Sequence, residues 1–218
     1  MRARTTSGFS LIELAVAMTL MGIVTGGIFM VVDSTGRAVR TGVTGGELDN
    51  LGRRTVDRVA ELLMQSRRGS VLPAAPAAVR PTSTPQVVFP RVTGFNGTNA
   101  IWGNNERINF QYEAGELDDG LDNNGNGLID EGRVVWTTNL GLPNQRAVTL
   151  CKWVGEFLDG EVFEGFVDEN GNGLVDERGL CFEFDGDRVT IRLTLQRTDG
   201  NGAVIARTFV RTVAFRQG

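Results

Sequence analysis

The distribution of apolar and polar positions divides the chain into unlike parts. From Phe9 to Val32 run 24 residues with a single charge, Glu13. An α-helix rises 1.5 Å per residue, so about 20 apolar residues cross the roughly 30 Å hydrocarbon layer of a bilayer. The pattern therefore predicts a membrane-spanning helix over 9–35. A second helical pattern occupies 36–70. Leu48, Leu51, Val59, Leu62 and Leu63 recur at three-and-four spacing, with Arg53, Arg54, Asp57, Arg58 and Glu61 off the stripe. Thr44-Gly45-Gly46-Glu47 has the form of a capping box, and Gly69 after Arg67 and Arg68 the form of a stop, which together predict an amphipathic helix over 45–68. Glycines 36, 42, 45 and 46 leave open whether it continues the anchor or bends away.

Five of the six prolines fall between Pro73 and Pro90, so 71–90 reads as an extended connector. Beyond it, in 91–218, the period changes to two. Strands are predicted at 107–112, 133–138, 146–153, 180–184, 188–195 and 203–215. Asp199-Gly200-Asn201-Gly202 supplies a turn that makes the last two a hairpin. The predicted fold class is α+β, a long N-terminal helix packed on an antiparallel sheet that forms a β-rich head.

Composition narrows the function. With 218 residues and 41% of them hydrophobic, the chain suits one globular domain plus an anchor. A net charge of −4 argues against a nucleic-acid footprint over the whole surface. The chain has no histidine, which removes the commonest general base and metal ligand, and it lacks a G-x-S-x-G elbow and a P-loop. An enzyme is therefore the least supported class. Two cysteines without histidine are too few for a thiolate zinc site.

Arg2 and Arg4 precede the apolar run, so the positive-inside rule keeps that end cytoplasmic and exports the remainder. The run exceeds the usual apolar region of a cleaved signal peptide, and no small-x-small site closes it. Glu13 is its informative residue, because a carboxylate inside hydrocarbon costs a few kcal/mol and marks a partner or a function. If the chain were cut between Gly8 and Phe9, a new α-amino group would appear there. In a helical assembly that amine could sit beside Glu13 of a neighbouring subunit, neutralising the pair and fixing the axial stagger.

Gly8-Phe9-Ser10-Leu11-Ile12-Glu13-Leu14, with a basic leader before it and an apolar helix after it, resembles the prepilin signal of type IV pilins and type II secretion pseudopilins. The resemblance covers about the first 35 residues. It implies that residues 1–8 are a leader removed by prepilin peptidase after Gly8, that Phe9 is then N-methylated, and that Glu13 pairs with the new amine. It also implies other pilins or pseudopilins as partners through the N-terminal helix. The location it implies is the bacterial inner membrane, crossed once, with the head in the periplasm and later in a filament or at the cell surface. Major pilins often carry a proline midway along this helix, where Gly22, Gly26 and Gly27 stand here. The length exceeds that usual for a major subunit, so the chain is most similar, in size and helix–sheet layout, to the larger minor pilins (W-type) and minor pseudopilins (J-type). A membrane-anchored calcium-binding adhesin or envelope module is the expectation from a different class.

Two segments are near copies 46 residues apart, 122–131 and 168–177. Oxygen-bearing side chains recur at alternate positions, with glycine sixth, which resembles the D-x-[DN]-x-[DN]-G loop of EF-hand and related calcium modules. By position the side-chain ligands are Asp122, Asn124, Asn126 and Asp130 in the first loop and Asp168, Asn170, Asn172 and Asp176 in the second, with the carbonyls of Leu128 and Leu174. The twelfth position, a bidentate glutamate in an EF-hand, is Arg133 or Gly179, so another carboxylate must complete each shell. Asp118 or Asp119, and Glu164 or Glu177, are the candidates. Residues 113–131 and 156–177 hold 7 and 8 of the chain's 26 acidic residues and no Lys or Arg. Asn-Gly turns alone would leave that charge uncompensated, which favours a structural Ca2+. Cys151 and Cys181 bracket the second loop, and export predicts a bridge between them worth about 3 kcal/mol; two unpaired core cysteines are the alternative.

Overall fold

The computed structural model describes residues 10–72, 83–162 and 167–215. It resolves into two compact units, Met1–Gly42 and Val43–Gly218. One helix, α1, spans Leu11–Met64 without a break. The helix therefore continues through Gly36, Gly42, Gly45 and Gly46, and Thr44 lies inside it rather than capping a new one. Continuity is physically simple here, since no proline occurs between 11 and 64 and isolated glycines each cost a helix only about 1 kcal/mol. The helix ends before Gly69, through i→i+3 bonds from Gln65 and Ser66 to Leu62 and Leu63, and a short 3₁₀ turn follows at Arg68–Ser70.

In the first unit, the described residues are a helical stretch long and apolar enough to cross a membrane, none of whose apolar window is buried. Among the described residues of the second unit, eight strands form one antiparallel sheet: β1 (Ser83–Thr84), β2 (Gln86–Asn96), β3 (Asn99–Tyr112), β4 (Gly132–Thr138), β5 (Arg146–Val154), β6 (Leu180–Asp185), β7 (Arg188–Thr198) and β8 (Val204–Ala214). The order is β1-β6-β7-β5-β4-β3-β2, with β8 also on β7. One edge of β7 takes β8 along its length; the other takes β6 over Arg188–Leu193 and then β5 at Leu195. The result is a curled sheet with the later turns of α1 packed on it, an α+β, pilin-like fold.

The core follows from the two periodicities. Leu48, Val56, Val59, Leu62 and Leu63 face the sheet, and Leu51 packs partly buried beside them. Alternate strand residues answer them, among them Phe89, Ile108, Val134, Phe182, Ile191 and Phe209. Gln86–Pro90, which composition assigns to a connector, is the start of β2. Proline is tolerated there because β2 is the outermost strand and its register shifts just after Pro90. The first half of β3 is polar and glycine-bearing, with no alternation to announce it, and it joins β2 through a tight turn in which Gly97 has φ +62°.

Gly52 sets the distance between helix and sheet. A Cβ there would lie 2.1–2.4 Å from atoms of the Phe209 ring, whereas one at Gly46 would meet nothing within 4 Å. Gly52→Ala is thus expected to lower stability by about 1–3 kcal/mol through overpacking. Gly46→Ala should raise it, by up to about 1 kcal/mol, through helix propensity alone. Thermal melts of the two detergent-solubilised variants read the opposite signs.

Candidate assembly helix and acidic loop sites

The assembly helix presents an uninterrupted apolar surface. Side chains from Leu11 to Val32 are exposed, Leu11 at 87% and Met30 at 78%, a continuous patch that water does not tolerate and that lipid or like helices can cover. Glu13 is exposed at its start, and its Oε2 accepts a hydrogen bond from the Ser10 N–H at 2.9 Å. The carboxylate therefore lies at the helix N-terminus, where it opposes the positive end of the helix dipole. Gly8 and Phe9 lie outside the described residues.

The two acidic loops join β3 to β4 and β5 to β6. They share a frame wider than the copied sequence. The N–H groups of Glu113 and Leu158 donate to the carbonyls of Glu131 and Glu177, each at 3.0 Å, closing the two necks. One turn on, the N–H of Glu116 and of Glu161 donates back to Glu113 and Leu158, again at 3.0 Å. The Glu116 and Glu161 carboxylates then accept from the N–H of Asn124 (2.8 Å) and Asn170 (3.1 Å). Glu116 and Glu161 are both buried. They follow Gly115 and Gly160, both at positive φ, and this Gly-Glu doublet was the available signal in sequence. It goes unseen at a fixed offset because the second loop has one residue more before its aspartate.

Within each loop the first aspartate organises the backbone. Asp122 accepts from the N–H of Gly125 (2.7 Å), Asn126 (3.2 Å) and Gly127 (2.8 Å); Asp168 accepts from Asn172 (3.0 Å) and Gly173 (2.7 Å). These bonds, that from Gly127 foremost, hold the Asp122 carboxyl below its ordinary range. Asn124 and Asn126 accept from the N–H two residues on, as do Asn170 and Asn172. Leu128 and Leu174 are buried as apolar plugs beneath the loops.

The ninth positions differ in their surroundings, Asp176 keeping a buried Oδ1 with no hydrogen-bond partner. Asp130 and Asp176 take φ of +49° and +50°. This left-handed step turns the next residue, Glu131 or Glu177, under its loop. The Asp130 carboxylate instead accepts from the N–H of Asp119 (3.3 Å) and Gly120 (2.7 Å), so Asp119 presents its backbone to Asp130. Oxygens of Asp118, Asp130 and Glu156 lie within 4.8 Å of one another. Arg178 serves this trio: it is bonded to Glu156, lies 3.8 Å from Asp118, donates to the Tyr112 hydroxyl at 3.2 Å and stacks on Phe157. Burial pushes the Tyr112 phenol up to about 12 and also raises the Glu156 carboxyl, against the pull of Arg178. One guanidinium thus ties the necks of both loops. Glu164 lies outside the described residues.

The cysteines correct the expected bridge: both are buried thiols. Cys151 belongs to the core face of β5, within hydrogen-bonding range of Thr55 on α1. Cys181 stands between Leu180 and Phe182, which belong to that core, so strand alternation turns it to the opposite face, toward Glu177. Bracketing a loop in sequence does not bring two side chains to one side of a sheet, as a disulfide requires.

Residues 3–29 match the family model described as the prokaryotic N-terminal methylation motif. No curated protein and no solved structure matches the chain. The match covers Arg4, the Gly8-Phe9 junction and most of the apolar run, and it supports a place among type IV pilins and pseudopilins. With the exposed apolar helix it is consistent with membrane anchoring, with association through that helix, and with a structural role.

Two outcomes follow from this geometry. Thiol labelling of denatured, unreduced protein should modify two cysteines per chain, and native protein should react slowly because burial pushes the thiols up to about 11 for Cys151 and about 12 for Cys181. A denatured chain with no reactive thiol would restore the bridge. Arg178→Met, which keeps much of the stem but removes the charge, should destabilise by about 1–3 kcal/mol because it strips hydrogen bonds from partly buried acceptors. Denaturant unfolding measures it.

Proposed function

We propose that this chain is a non-enzymatic minor subunit of a type IV pilus or a type II secretion pseudopilus, contributing to filament assembly or its initiation. The observation that carries the reading is the combination of the methylation motif with an exposed apolar run, up to Val32, whose single carboxylate, Glu13, stands at its start. An exposed apolar helix of that length needs a membrane before assembly and neighbouring helices after it. Glu13 gives the packed state its register, by pairing with the α-amino group of Phe9 on an adjacent subunit once prepilin peptidase has cut after Gly8. The head, β-rich and exported by the positive-inside bias, would face the periplasm. Length and helix–sheet layout favour a minor component, of the W-type pilin or J-type pseudopilin kind.

The acidic loops favour a second reading, a calcium-binding adhesin or envelope module that uses the same anchor. Filament incorporation separates the two. Intact-mass analysis of membrane-extracted protein should give a chain that begins at N-methylated Phe9. Glu13→Ala should still be processed but should lose cross-linking to filament subunits in the native host. Processing with no filament association in either form would favour the module, and a mature start beyond Val32 would remove the filament reading altogether.

A further inference from the structure

Both acidic loops bury carboxylates that no charge among the described residues neutralises. In the first loop the Glu131 side chain is fully buried; Oε1 faces the side-chain amides of Asn124 (2.8 Å) and Asn126 (2.5 Å), and Oε2 has no hydrogen-bond partner. In the second, Glu177 is 1% exposed and neither carboxylate oxygen has a partner. Glu161, also buried, carries an orphan Oε2. Native proteins rarely leave ionised oxygens dry and unpaired, because the desolvation cost is recovered only by a counter-charge. Twice in one chain, at equivalent places, the orphan lies beneath a loop that carries Asp and Asn side chains at alternate positions.

We propose that each loop holds one calcium ion and that Glu131 and Glu177, the tenth residues of the two copies, supply the carboxylates that close the sites. The remaining ligands of the first site are the side-chain oxygens of Asp122, Asn124 and Asn126 and the Leu128 carbonyl; Asp168, Asn170, Asn172 and Leu174 repeat them in the second. The donor set is all oxygen, with no nitrogen or sulfur ligand, which selects a hard cation over zinc or copper. Its number and flexibility suit calcium, which takes six to eight oxygens, better than magnesium, which keeps a rigid octahedron rich in water. The left-handed ninth residue accounts for the departure from EF-hand spacing. It sends Asp130 to the Arg178 junction and brings the following glutamate under the loop. The Asn side-chain oxygens already accept one backbone N–H each and retain a second lone pair for an ion. A calcium ion would then neutralise, in each loop, the buried glutamate and the aspartate that organises the backbone.

The test uses the full-length chain in detergent, stripped with EDTA and then equilibrated with radioactive calcium at increasing concentration. Two ions per chain are expected, one in Glu131→Gln, one in Glu177→Gln and none in the double variant. Asp130→Asn should retain both. Melting in EDTA controls for folding: the Gln variants should melt at or above the temperature of the unaltered chain, because each removes a buried unpaired charge at constant shape. Millimolar calcium should then raise the melting temperature of the unaltered chain and leave that of the double variant where it was. No calcium bound at millimolar concentration would overturn the proposal. So would binding that survives the double substitution, or magnesium competing on equal terms. Loss of an ion in Asp130→Asn with retention in Glu131→Gln would return the site to the ninth position and overturn the assignment of the closing ligand.

Discussion

The head domain depends on how closely α1 can lie against one face of the sheet. At Gly52 the helix backbone touches the Phe209 ring, and this contact draws Leu48, Val56, Val59 and Leu63 down onto the alternate residues of the strands. Ion pairs flank it, Glu47 with Arg197 and Asp57 with Arg211, but these are solvent-exposed and contribute little beside the apolar burial. β7 and β8 carry Leu193, Leu195, Phe209 and Val213, so the C-terminal hairpin is what the helix rests on.

The two acidic loops are built by other means, burying leucines and carboxylates together. Leu128 and Leu174 act as plugs, Thr198 at the end of β7 meets the carbonyls of Asn126 and Gly127, and Arg178 links the two necks. Loops that bury so many carboxylates must be held by hydrogen bonds and charge, which makes them sensitive to whatever ions surround the protein.

Much of this was legible in the sequence, because local periodicity records it. The apolar anchor, the stripe on the later turns of α1 and the strands β4 to β8 follow from spacings of three to four and of two. What the sequence concealed depends on neighbours distant along the chain. Nothing local says that α1 runs through Gly36, Gly42, Gly45 and Gly46, since a helix is interrupted by what competes with it and no proline does. β2 and the start of β3 lack alternation because an outer hairpin is half wet on both faces. The cysteines looked pairable until the strand faces were known. The prepilin-type motif was fully visible; Glu116 and Glu161 were masked by a one-residue difference in loop length, and Glu131 by a backbone turn that no residue type dictates.

The outermost strand has a wider consequence. Pro90 withholds an amide from the rim of β2, and register shifts on either side of Val92 bend that rim. Strand rims are where folded domains polymerise through their backbones when copies are crowded together. If copies gathered in one membrane through their apolar helices, as the proposed function has it, their heads would be brought close together. A blunted rim disfavours the pairing of a further backbone along β2.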